Sequence, residues 1–254
     1  MNESNEGGLR WPRIIAEGVV VVGSILLAFA IDAWWDYRGE LRQEDEIIQA
    51  LEAEFTLNRR KLERDIEDVR DYTAAAQRLL EAARSSAVEA PGIDSLGADL
   101  WRSLSWRTAN LSTANLDVIV STGRLDLIRD ALLRSALAGW KANLEDMAEE
   151  EEYEWREIVE RYRPYMGRFV AIPSLEVDSV PPPPSGTVLR RLLTDQEFQS
   201  RLSMRVDVSL VSLRDKESTL VELVRILGLL HDSAARAGSR SEEATLPRRR
   251  TVGE

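Results

Sequence analysis

The sequence predicts an all-α protein, with a single N-terminal transmembrane helix continuing into a long amphipathic helix packed in a helical bundle. Three observations predict it. An apolar segment of membrane-spanning length lies near the start, apolar residues beyond it recur every seven positions, and prolines and glycines gather at joints between periodic segments. Of 254 residues, 44% are apolar and 30% charged, and only 14 residues are glycine. That composition suits helices with one solvated, charged face.

The anchor is Ile14 to Trp35. Twenty-two helical residues span about 33 Å, close to the hydrocarbon thickness of a bilayer. Glu17 and Asp32 lie toward its ends, and Gly18 to Ile31 between them carries no charge. Trp11 on one side and Trp34, Trp35 and Tyr37 on the other match interfacial aromatic belts. Two other readings of this segment stay open. In one, Arg10 and Arg13 open a signal peptide cut after Ala28-Phe29-Ala30; in the other it is a buried core helix. Arg10, Arg13 and the free amino group narrowly outweigh Arg38 and Arg42, which puts the N-terminus in the cytoplasm and the domain outside it. At 100° per residue, Glu17, Val21, Ser24, Ala28 and Asp32 share one face. Small and polar residues on one side of a span favour contact with another helix.

Beyond the anchor, Leu41, Ile48, Phe55, Leu62, Val69, Ala76 and Ala83 form a heptad row, with Leu51, Ile66, Tyr72 and Leu79 or Leu80 beside it and Asn58 interrupting. Ala90-Pro91-Gly92 ends this helix. A short helix over Asp94 to Trp106 turns Trp101 and Leu104 inward. A second runs from Thr113 to Ser121 and stops at Gly123. Asp130 caps a long helix with the stripe Leu133, Leu137, Trp140, Leu144, Met147, Trp155, Ile158 and Tyr162, broken near Glu151 and ended or kinked at Pro164. A connector, Val170 to Gly186, contains four consecutive prolines, a stiff polyproline spacer. Thr194-Asp195-Gln196-Glu197 reads as a capping box opening the last helix, with the stripe Phe198, Leu202, Val206, Leu210, Leu213, Leu220, Val224, Leu227 and His231. The parts are therefore a short tail (1–13), the anchor (14–35), a helical domain (36–236, with its connector at 170–186) and a disordered tail (237–254) in which Arg248 to Arg250 are solvated.

Three blocks together resemble a family of bacterial single-span membrane proteins with no assigned activity. They are Glu17-Gly18-Val19-Val20-Val21-Val22-Gly23-Ser24-Ile25-Leu26-Leu27-Ala28 with Ile31, Trp34 and Arg38; Ser121-Thr122-Gly123-Arg124-Leu125-Asp126-Leu127-Ile128 with Leu132-Leu133-Arg134; and the helix start Asp195 to Phe198. The resemblance implies an N-in anchor and a helical domain. The chain departs from the family in having Asp32-Ala33 before its tryptophan pair and fewer basic residues on the N-side.

A net charge of −11 argues against nucleic acid as a partner. With no cysteine, disulfides, thiolate chemistry and Cys-ligated metals are excluded. His231 is the sole histidine and reads as a packed core residue. A carboxylate-bridged di-iron site needs Glu-x-x-His, and Gly228 occupies the Glu place. Glu149-Glu150-Glu151-Glu152, with Glu145, Asp146, Glu154 and Glu157, is either a solvated face or a collector of a divalent cation, with Glu151 turned inward. Trp101, Trp106, Trp140 and Trp155 read as core residues or as the lining of a ligand pocket. The expectation is a single-pass protein of the bacterial inner membrane, its domain periplasmic. It is a structural or protein-interaction module without catalysis, catalytic residues, metal ligands or cofactors. Its partners are the lipid bilayer and either a second copy or another membrane protein. The alternative is a sensor-like extracytoplasmic ligand-binding bundle, or an accessory subunit of a channel or transporter.

Overall fold

The computed structural model describes residues 11–85, 93–172 and 182–245, and among them there is helix and no strand. The Ala90-Pro91-Gly92 turn, most of the connector and residues 246–254 lie outside the described residues. Anchor and heptad region form one helix, α1 (Trp11–Arg84, 74 residues). Nothing in this stretch breaks it, since Pro12 sits in the first turn, where a missing N–H costs little. The heptad row from Ile48 to Ala76 is buried, and Asn58 is buried with it.

A 3-10 turn (Ile93–Leu96) leads into α2 (Gly97–Ser103), which stops short of Trp106. Helix α3 (Ala114–Ser121) ends at Gly123, whose φ of 69° is the left-handed conformation that glycine adopts without strain. Asp130 caps α4 (Ala131–Arg156), accepting from the Leu132 and Leu133 N–H groups. Before Pro164 the helix widens into a π turn (Glu157–Tyr162), and the Arg163 N–H reaches back five residues to the Ile158 carbonyl. A wide turn accommodates the carbonyl clash and lost donor that proline brings. After α5 (Arg163–Met166) and the connector, α6 (Gly186–Thr194) precedes α7 (Gln196–Thr245).

Three expectations are corrected here. Helix α6 fills the stretch between the expected loop, which ended at Gly186, and the expected helix start at Thr194. The cap of α7 is Asp195, which accepts from the Phe198 N–H at 2.9 Å, while the Thr194 hydroxyl turns back to the Arg190 carbonyl. The predicted tail boundary at 237 falls inside α7, whose heptad-spaced Leu230 and Ala237 are both buried.

Helix α7 runs antiparallel to α1 from Ala83 back to Glu52: Gln199 meets Ala83, Glu217 meets Arg70, and His231 meets Glu52. Helix α4 runs parallel to α1, as Phe55–Trp140 and Tyr72–Glu154 show. Two apolar cores result. One joins Ile47–Ile66 of α1 to Trp140 and to Leu223–Leu230 of α7. The other joins Ala76–Ala82 to Leu100, Tyr162, Met166, α6 and Phe198–Val206.

Candidate functional site

Between the two cores lies a layer of buried polar side chains. Arg205 and Lys216 of α7, Glu151, Glu154 and Glu157 of α4 and the turn after it, and Tyr72 and Thr73 of α1 are all nearly inaccessible. Arg205 donates to Glu154 at 2.8 Å, to the Ser103 carbonyl at 2.8 Å, to the Ser105 carbonyl at 2.6 Å, and also to Ser209. Its guanidinium lies 4.6 Å from the centre of the Tyr72 ring, and the Tyr72 hydroxyl donates to Glu154. Lys216 pairs with Glu151, which also accepts the Ala109 N–H at 2.9 Å. In both pairs a buried charge faces its opposite, the condition under which buried ions are tolerated.

The backbone explains why charges are there. Residues 105–113 have no regular structure and run between α1 and α4. Their N–H and C=O groups need partners that only side chains can supply. Asn58 makes a two-way pair with Ser112, donating to its carbonyl at 2.7 Å and accepting its N–H at 2.9 Å. Glu54 accepts from the Ser112 hydroxyl and the Asn115 and Leu116 N–H groups, placing a carboxylate at the N-terminus of α3, where the helix dipole favours it. Glu44 accepts the Arg129 N–H at 2.8 Å. The interruptions in the sequence pattern are therefore the attachment points of the connecting chain.

Burial pushes the Tyr72 phenol far above its ordinary range and the Tyr162 phenol up to about 12, so both stay protonated. Asp65 is raised by burial, against the attraction of Lys216. Beside this layer a half-open groove of about 290 Å³ is lined by Glu157, Arg161, Tyr162, Arg201, Met204 and Arg205, among others. Its two outer arginines are engaged with Glu157 and Glu197 on their own helices.

The residues singled out in the sequence are dispersed. Trp140 is fully buried against Phe55 in the first core, Trp101 packs on the second, Trp106 lies under Arg163, and Trp155 is exposed. His231, read as a core residue, is instead exposed, with Nε2 3.1 Å from Glu52; it points outward because Leu227 and Leu230 take the buried positions. Of the acidic run, Glu151 turns inward as predicted, Glu154 joins it, and Glu152 pairs with Arg156. Among the described residues no cluster of three or more His, Asp or Glu is disposed to hold a metal. Glu17, Val21, Ser24, Ala28 and Asp32 are all exposed. Their face of α1 lies about half a turn from the Glu44–Ile48–Leu51 face that packs the domain.

Arg205, Lys216 and Tyr72 were not recognised as a site from sequence. For Lys216 and Arg205 the signal is polarity at heptad positions: Leu202, Ser209, Lys216, Leu223 and Leu230 are spaced by seven and all buried, as are Arg205, Ser212, Thr219 and Ile226. In comparisons with protein families, curated proteins and solved structures, no match is found.

Proposed function

We propose that this protein is a membrane-anchored interaction module: α1 crosses the bilayer once and holds the helical domain at its surface, where a second copy or another membrane protein associates with it. The observation that carries this reading is a contrast within one helix. Residues 17–37 of α1 are exposed throughout, although their apolar window has a mean hydropathy of 1.9 and none of it is buried. From Glu44 onward the same helix buries a continuous face. Valines and leucines left uncovered over that length are unfavourable in water and suited to acyl chains.

Further features support the reading. Trp34 and Trp35 meet edge to face at 5.3 Å, Arg38 lies over Trp34, and Arg129 of the domain lies over Tyr37. Aromatic rings with a polar or cationic edge are at home at headgroup depth. The helix passes without a break through Ala28-Phe29-Ala30, which argues for a retained anchor over a cleaved leader. Because the Glu17–Asp32 face points away from the domain's packing face, a partner helix reaches it without meeting the domain. The narrow excess of positive charge on the N-side, Arg10, Arg13 and the free amino group against Arg38 and Arg42, favours a periplasmic domain in a bacterial inner membrane, and the reading assigns no catalysis. Alkaline carbonate washing of membranes, with intact-mass analysis of the pellet, tests it. The full-length chain is expected in the pellet; a soluble chain beginning near Ile31 overturns the anchor.

A further inference from the structure

We propose that the Gly97–Trp101 face of α2 is a recognition notch for proline-rich chain in the polyproline II conformation, occupied here by the protein's own Pro182–Pro184. Three contacts define it. The Trp101 indole N–H donates to the Pro182 carbonyl at 3.3 Å. A Cβ on Gly97 would lie 2.6 Å from the Pro183 Cβ and 3.3 Å from the Pro184 Cδ, so the proline rings approach only because this residue has no side chain. Ser185, which follows, has φ −62° and ψ 152°, continuing the extended backbone up to α6.

The chemistry is that of proline-rich recognition. A polyproline helix makes no internal hydrogen bonds, so its carbonyls stay free to accept from outside. An aromatic surface with a donor takes such a chain at little entropic cost, because the chain is already rigid. The notch is shallow: Pro182 and Pro183 remain exposed, and the rings that lie against Gly97 are those of Pro183 and Pro184. A second proline-rich segment meets the same glycine gap and the same indole donor. The resident segment competes as a tethered ligand, at an effective concentration on the order of millimolar. The strap thus guards a site that a proline-rich partner opens by displacing it. This gives the proposed interaction module a class of partner, and its test needs no membrane, so the two readings fail independently.

The test uses the full chain in mild detergent and a fluorescent peptide copying the connector from Val180 to Thr187. The variant Pro182→Ser/Pro183→Ser/Pro184→Ser is expected to bind the peptide about tenfold or more tighter than the native chain, since the tethered competitor is gone. Adding Gly97→Val is expected to abolish that binding, and Trp101→Phe, which keeps a ring and loses the donor, to weaken it severalfold. A strap variant with native helical circular dichroism that takes up no peptide overturns the proposal, as does binding indifferent to Gly97→Val. If the strap variant loses its helical signal, Gly97→Val in the native chain decides: faster hydrogen exchange at Ser185 and Gly186 supports the notch, and unchanged exchange overturns it.

Discussion

At the scale of single residues, Arg205 bears the largest structural demand. It neutralises Glu154 and serves the Ser103 carbonyl at the end of α2 and the Ser105 carbonyl of the connecting chain from a nearly inaccessible position. Arg205→Ala leaves a buried carboxylate and two carbonyls without their donor. The expected cost is about 3–5 kcal/mol in urea denaturation. Arg205→Met/Glu154→Leu is expected to recover most of that charge penalty, because replacing both ions removes the orphaned one. A double variant as weak as the single one would mean that the carbonyl contacts, not the ion pair, dominate. Asp65 gives a pH-dependent test. Its folded pKa is raised by burial, so the folded state binds the proton more tightly than the unfolded one. That penalises folding above the raised pKa and vanishes below the ordinary carboxylate value. Asp65→Asn is therefore expected to be more stable than the native chain near about pH 7 and equal to it near about pH 3. A less stable variant at neutral pH would show that attraction to Lys216 outweighs desolvation.

At the scale of elements, helices were legible where apolar residues mark the buried face and illegible where polar ones do. The heptads of α1, the Asp130 cap and the Gly123 stop were all readable, because each rests on local chemistry. The stripe predicted for α7 was partly wrong: Leu210 and Val224 are exposed, while Ser209, Ser212, Lys216 and Thr219 are buried in their stead. A pattern that counts only apolar residues cannot follow a seam whose partners are charges and connecting backbone. Helix α6 was missed for a related reason. It has only nine residues and sits between a proline run and Asp195, where turn chemistry masks a short amphipathic segment. The anchor face makes its own prediction. Ser24→Leu and Ala28→Leu put bulk on the stripe that faces away from the domain, and are expected to reduce cross-linking between copies in native membranes while insertion continues. Cross-linking equal to that of the parent would assign the anchor no part in assembly.

At the scale of the molecule, one helix has two unlike parts. Its first third exposes apolar residues, and the rest buries them against α7 and the connecting chain. The junction is short: Arg129, reaching from the domain, contacts Tyr37, Glu40 and Glu44 just beyond the tryptophan pair. The heptads foretold this continuity, since no residue from Asp36 to Arg84 breaks a helix. The polar layer was not foretold, because its pairs join residues such as Glu151 and Lys216 that sequence alone leaves far apart. Absence of cysteine makes the central claim directly measurable. Single cysteines introduced at Leu26 and at Leu57 are treated with a membrane-impermeant maleimide in intact spheroplasts. The account expects labelling at Leu57 without lysis, and at Leu26 only after detergent. Equal labelling of both in intact spheroplasts would contradict a membrane-spanning α1.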